Sequence, residues 1–491
     1  MKGKGKKWYI LGVMGVLPII LYGQVRSSVS DSIAVDRQQS LVSTRETNYR
    51  VEAFGEYSTG DKVPYGLQNH TWGVMPLDGN AYYGKAGVFH KQKLNKALSY
   101  ELGADLVATS SQPNQNTFWV QQAFAGVNWK FLALRIGSKE DSRSNSWNPN
   151  LNSGDLVYSD NARPIPEIKI SIPDYIAVPG TKRNLYVKGE LSFGKLLDGH
   201  YLEKEVGNSL HPYVKNPYTQ YKALYLRVGN IEWHQNGLQL TIGAQDMALW
   251  GGTVYQLKQN ALVKEDATAN NLFDIVIPGS EAKHGAHWGS YDFRMDYGRD
   301  YADEVFSFYI QHPLKNAKDV KLVNLPDNLY GVEYKSLQKR LLSGFVFEYL
   351  SARQTNKENQ SNYYNQRIYG QGASYYGIGF GNSLFISPRE NFVNSIAFMN
   401  NKIWGIHSGI EGYVTRTLKY AGWASYIESK GSPYYAYRRL RAASATLDVT
   451  YSYPKVSGLT VSALLSYNKG RLVNLGCFAA GISVKKTGKL F

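Results

Sequence analysis

The sequence predicts one transmembrane antiparallel β-barrel of about 18 strands. Three observations predict it. The N-terminus has the make-up of an export leader, and no apolar run long enough for a membrane helix follows it. The C-terminal third alternates apolar and polar residues with a period of two. Short and long connections between the candidate strands take turns along the chain.

The leader comes first. Lys2, Lys4, Lys6 and Lys7 form a basic start, Trp8 to Leu21 an apolar run, and Gly23 a small residue before Gln24. That order is a secretory signal, too short to span a bilayer as a helix. The expected division is residues 1–23 as signal peptide, 24–47 as a polar periplasmic extension or partial plug, and 48–491 as barrel. Composition agrees with this, since 38 Tyr, 47 Gly and a mean hydropathy of −0.37 suit a wall with one face in lipid and one in a polar lumen. The only cysteine, Cys477, has no internal partner, and a closed ladder needs no disulfide.

The clearest strands lie near the C-terminus. Ala445, Leu447, Val449, Tyr451 and Tyr453 share one face of a strand, with Ser444, Thr446, Asp448, Thr450 and Ser452 on the other. The segments after Leu459 and around Phe478 repeat the pattern, since successive strand side chains point to opposite faces. Earlier in the chain LALRIG (132–137), LYLRVG (224–229) and LQLTIG (238–243) share that grammar, the last after an Asn236-Gly237 turn signal. Tyr453 and Tyr467 end their strands where an aromatic girdle sits, and Phe491 resembles the terminal residue of outer-membrane barrels.

Connections near 94–96, 128–129, 179–183 and 236–237 read as short. Those near 58–80, 109–116, 138–165, 196–221 and 248–290 read as long. Short periplasmic turns and long external loops are what a membrane barrel requires, and this parity puts both termini in the periplasm. Residues 300–420 parse less cleanly, with candidate strands at 302–311, 341–352, 373–380 and 405–416.

The net charge of +16 falls to +12 once the four leader lysines are removed. One reading is basic loops beside anionic lipid; the other is a surface for an acidic polymer. Nucleic acid is a poor candidate for an exported chain without a compact basic motif. No nucleophile–base constellation and no metal-binding motif stands out, so neither an enzyme nor a cofactor is expected. The pair His284 and His287 lacks a third ligand. Glu190, Lys188, Arg135, Arg227 and Asp448 are expected to pair within a polar lumen.

Two segments stand out, SDNARPIPEIKISIP (159–173) and LYLRVG followed by LTIGAQDMALWGG (240–252). With the leader and the strands running to the C-terminus, they resemble the capsule-assembly Wzi family of outer-membrane proteins. The resemblance implies a large single-chain barrel with a blocked lumen. It also implies a lectin-like role in attaching capsular polysaccharide to the cell surface, in a monomer embedded in outer-membrane lipid. Six residues are the expected polysaccharide contacts: Asp160, Asn161, Arg163, Arg227, Asp246 and Trp250. An arginine holds a uronic acid through two parallel hydrogen bonds, and an indole beside Gly251-Gly252 offers a face to a sugar ring. The alternative is that Trp250 belongs to the girdle and that Asn161 and Arg163 cap a strand end. An acidic capsular polysaccharide is the expected partner, with a porin or substrate channel as the competing reading.

Overall fold

A computed structural model describes residues 45–110, 117–206, 212–229, 237–258, 261–266, 285–299, 303–314, 326–353, 363–366, 368–391, 395–432, 436–473 and 476–490. The leader, most of the expected extension, Asn236, His284 and Phe491 lie outside them.

Eighteen strands form the wall. They are β1 (Arg45–Ser58), β2 (Tyr82–Lys93), β3 (Leu98–Thr109), β4 (Phe118–Trp129), β5 (Leu132–Ser138), β6 (Glu167–Ala177), β7 (Leu185–Lys195), β8 (Tyr218–Val228) and β9 (Gly237–Trp250). There follow β10 (Gly285–Arg299), β11 (Glu304–Leu314), β12 (Leu329–Ser336), β13 (Gly344–Ala352), β14 (Ile403–Tyr413), β15 (Leu418–Gly431), β16 (Ala436–Ser452), β17 (Leu459–Gly470) and β18 (Cys477–Lys489). Each pairs antiparallel with the next. β18 closes the ring on β1, with Ala53 opposite Val484.

The alternation decides which face looks where. Ile136, Ile242 and Ile482 are 55 %, 56 % and 61 % exposed, whereas Arg135, Thr241 and Asp296 are buried. An apolar outer surface and a polar interior are the arrangement of a barrel standing in lipid. Two of the five expected lumen charges, Arg135 and Glu190, form ion pairs among the described residues; Lys188 and Arg227 donate to the neutral side chains of Asn145 and Thr241, and Asp448 accepts from Thr450. Arg135 reaches Asp141 at 2.6 Å, Glu190 meets Lys169 at 3.0 Å, and Lys188 donates to Asn145 at 3.2 Å.

Connections of one kind gather at each end. The turns 94–97, 130–131, 178–184, 337–343, 414–417 and 453–458 share one end; the connections 59–81, 139–166, 196–217 and 353–402 share the other. The alternation continues unbroken through 300–420. There β11, β13 and β14 correspond to three of the expected strands, and β12 was not anticipated. The expected strand 373–380 is a correction: it forms only a two-residue ladder, Ser374–Tyr375 against Ile378–Gly379, away from the wall. Ser374, Tyr375 and Ile378 are all buried, so the segment has no face for lipid. Period-two alternation identifies an extended segment, not the surface it faces. The turn expected at 128–129 falls at 130–131, where Lys130 takes a positive φ of 54°.

Three of the long connections, 59–81, 139–166 and the described part of 363–402, pack against inward-facing side chains of the wall. Leu156, Tyr158, Phe380 and Phe398 share one apolar cluster with the wall residues Tyr221, Met247, Trp288 and Ile427. Hydrogen bonds tie this inner layer to the wall at many points. Ser153 N donates to Glu348 of β13 at 2.7 Å, Leu156 N to Gln311 of β11 at 2.9 Å, and Trp147 Nε1 to Asp296 of β10 at 3.1 Å. Trp423 Nε1 of β15 donates to the Gly66 carbonyl at 3.2 Å, and across the ring Gln121 Nε2 of β4 donates to the Trp72 carbonyl at 2.9 Å. Buried loop backbone needs such partners, and the polar lumen wall supplies them.

Candidate functional site

The three inner connections meet around Asp160, Asn161 and Arg163. The chain turns sharply at 70–73, where His70, Trp72 and Gly73 take φ of 57°, 52° and 65°. The turn is fastened to the neighbouring connection through Trp72 N, which donates to the Asp160 carbonyl at 2.8 Å, and His70 N, which donates to Asn161 Oδ1 at 3.0 Å. His70 Nδ1 lies 2.6 Å from Asp160 Oδ1, and its Nε2 lies 2.6 Å from the Asn152 carbonyl. Both ring nitrogens face acceptors, and only a doubly protonated imidazole donates to both. Burial opposes that charge, but the Asp160 carboxylate and the Asn152 carbonyl raise the His70 pKa above its ordinary value. The third connection joins through Asn161 Nδ2, which donates to the Gly381 carbonyl at 2.9 Å, and Ser159 N, which donates to the Phe380 carbonyl at 2.6 Å.

Arg163 stands differently. Its guanidinium carbon lies 4.6 Å from the ring centre of Trp119 and 4.6 Å from that of Tyr376, a cation between two aromatic rings. Both rings are pinned. Trp119 Nε1 donates to Gln121 at 2.8 Å; Tyr376 OH donates to the Leu197 carbonyl at 3.0 Å, and its backbone N to Asp198 at 3.2 Å. Tyr376 itself takes a positive φ of 52°, a strained conformation for a bulky residue. A Cβ on Gly73 would come within 2.7 Å of Arg163 Cγ, so a glycine is required beside the arginine. Among the described residues no carboxylate pairs with Arg163. Burial therefore lowers its pKa, offset mainly by Tyr376 and Tyr375 rather than by an acid. Its N–H donors make no hydrogen bond among the described residues and remain for an incoming anion.

The other expected contacts lie apart. Asp246, on β9, pairs with Lys222 and with His287 Nδ1, each at 3.1 Å. His287 is thus committed to a carboxylate. Trp250 stacks on Tyr218 at 4.8 Å at the rim and shares the parity of the outward-facing Leu240 and Ile242. Arg227 is near the turn end of β8, 3.3 Å from the Tyr175 ring centre, with Nε donating to Thr241 at 3.1 Å. Arg163 lies beside the start of β6 at the opposite end. Trp119 and Tyr376 were not singled out in the sequence, because nothing local marks an aromatic of strand β4 and one of a distant connection as partners of one arginine.

Burial also acts on carboxyls of the inner layer. Asp155, which accepts from Gln311 at 3.1 Å, is pushed up to about 7, helped by the neighbouring charges of Asp292 and Glu348. Asp198 and Glu390 are pushed up to about 7, again by burial first.

The family described as Capsule assembly protein Wzi matches residues 77–475. The chain belongs to that family. The Wzi match takes in Trp119, Asp160, Asn161, Arg163 and Tyr376, and begins after the His70 turn. Among solved structures, the chain is similar to Wzi of Escherichia coli, described as an outer membrane protein involved in group 1 capsule assembly and a carbohydrate-binding β-barrel. The TM-score is 0.55 at 14 % identity, over 89 % of this chain and 83 % of that one. At that identity the likeness establishes a shared barrel fold. Weaker likenesses are to outer-membrane expressed OmpT of Vibrio cholerae (TM-score 0.41, 11 % identity, 92 % and 99 % covered) and to Salmonella typhi OmpF in complex with daunomycin (0.40, 10 %, 90 % and 97 %). No curated protein sequence matches the chain.

Proposed function

We propose that the protein is an outer-membrane barrel that binds acidic capsular polysaccharide at its long-loop end and helps hold that polymer on the cell surface. The observation that carries this reading is Arg163, a cation whose guanidinium carbon lies over the rings of both Trp119 and Tyr376 with no carboxylate beside it among the described residues. A uronic acid carboxylate matches the N–H donors, and the two aromatic rims beside them suit the apolar face of a sugar. Asp160 and Asn161 hold the connection that carries Arg163. Arg227, at the opposite end of the wall, stands too far along the barrel to share that contact, and Asp246 and Trp250, at the loop end of β9, would meet other parts of a long polymer or serve the wall. Family membership and the +12 charge of the chain without its leader support the same reading.

In this reading the long loops face outward, the three inner connections block the lumen, and the barrel works as a monomer, without a cofactor or catalysis. The connection 139–166 bonds to β13 through Ser153 and to β4, nine strands away, through Glu140, and Trp72 also bonds to β4; bonds to opposite stretches of wall favour a blocked lumen over a porin. The test is deletion of the gene: capsule should pass into the medium while total polymer stays near normal. Capsule that stays in place while small-solute uptake changes would mark a channel instead.

A further inference from the structure

The end of the barrel opposite that site has a composition of its own. The six described short turns, 94–97, 130–131, 178–184, 337–343, 414–417 and 453–458, contain no aspartate or glutamate. Every one of them carries at least one lysine or arginine. Arg340 is paired, with Glu304 at 2.5 Å. Lys96, Lys130, Lys182, Lys339, Arg416 and Lys455 are exposed and pair with no carboxylate among the described residues.

A second feature accompanies the charge. In five of the six turns a large apolar side chain stands exposed within two residues of the cation. Leu94 accompanies Lys96, Phe131 accompanies Lys130, and Leu341 accompanies Lys339. Val414 accompanies Arg416, and Val456 accompanies Lys455. These apolar residues are between 39 % and 69 % exposed. Two of the cations also lie over aromatic rings at the same end, Lys130 Nζ 5.2 Å from the Trp129 ring centre and Lys339 Nζ 5.2 Å from that of Tyr413.

We propose that this turn end is a binding rim for anionic phospholipid headgroups of the leaflet in which it stands. A soluble polyanion would use the cations and leave the apolar side chains in water at a cost. A lipid interface uses both, because the apolar groups enter the acyl boundary while the cations stay at the phosphates. The cations over Trp129 and Tyr413 place charge at the level of an aromatic belt. The rim is separate from Arg163 and holds whichever polymer the loops bind.

The test uses the full barrel reconstituted in bilayers of equal phosphatidylglycerol and phosphatidylcholine, then extracted into detergent. Native mass spectrometry counts the lipids carried along. Wild type should retain phosphatidylglycerol over phosphatidylcholine by about fivefold or more, and should lose that preference near 0.5 M salt, where screening shortens to a few ångströms. A variant with Lys96, Lys130, Lys182, Lys339, Arg416 and Lys455 each changed to Gln should retain the two lipids within about twofold of each other while its barrel stays folded by heat-shifted gel mobility. If that variant does not fold, Lys130→Gln alone, which should roughly halve the preference, takes its place beside the wild-type salt series. Equal retention by wild type, or an unchanged preference in a folded variant, overturns the proposal. Displacement of the lipid by soluble glycerol phosphate would overturn the lipid as the source of the anion.

Discussion

His70 and Asp160, from two different inner connections, form a charged hydrogen bond of 2.6 Å whose imidazole is completed by the Asn152 carbonyl. The pair fixes the turn at 70–73 against the segment that presents Arg163. Replacing Asp160 by Ala leaves a buried imidazolium unpaired, which costs about 3–5 kcal/mol. Asp160→Ala should therefore make the inner connections protease-sensitive, while strand content by circular dichroism stays near wild type.

Arg163→Ala should weaken binding of an acidic polysaccharide by about tenfold or more, the worth of a charge-assisted bidentate contact. Arg163→Lys should restore little, since an ammonium lacks the planar fork. Trp119→Ala and Gly73→Ala should act in the same direction, one by freeing the guanidinium and one by crowding its Cγ. Titration of purified capsule against the detergent-solubilised protein, alongside cell-surface retention, would check all four. Full affinity in folded Arg163→Ala would remove this residue from the site.

The inner layer should be tightest in mild acid. The folded-state pKa of His70 is raised, so its contribution is present below the ordinary histidine value and is lost as pH climbs through the raised one. Asp155, Asp198 and Glu390 are raised to about 7, so the folded state favours their protonated forms and loses stability as pH rises from the ordinary carboxylate range through about 7. Both effects share a sign. Amide exchange in 139–166 and 363–391 should accelerate between pH 5 and pH 8 beyond the intrinsic rate, and Asp155→Asn should flatten part of that rise.

In planar bilayers the protein should conduct far less than an open porin of similar strand number. Asp296→Ala together with Glu348→Ala removes the wall partners of Trp147 and Ser153 and should raise conductance or produce flickering openings. Large, stable wild-type channels would contradict a blocked lumen.

Much of the wall was legible because lipid on one side and polar groups on the other impose alternation directly on neighbouring residues, as in Leu132, Leu134 and Ile136 against Arg135. Loop parity was legible for a related reason, since an up-and-down barrel must return to the same side after every second strand. The stretch 300–420 resisted because its connection folds inward: Tyr375 and Ile378 alternate like a strand but meet protein on both sides. At the site, SDNAR drew attention as a segment and Arg163 could be named from it. Its two aromatic partners come from a wall strand, β4, and from a connection far away in sequence, and such a tertiary contact leaves no periodic trace. Asp160 and Asn161 were named as contacts, yet their polar atoms are engaged in holding the loops, a distinction visible only from their partners.

The seam between β1 and β18 also has a bearing on biogenesis. Every other wall contact joins strands adjacent in the chain, but Asn48 meets Lys489 and Ser58 meets Ala479. The opening strand must wait, one edge bare, until the final strand has been synthesised and delivered. An unpaired edge is a template for the wrong neighbour, and contacts so distant in sequence form slowly. The assembly route thus has to shield an incomplete sheet, and a chain shortened before Cys477 would leave β1 and β17 as two open edges with no ring to close.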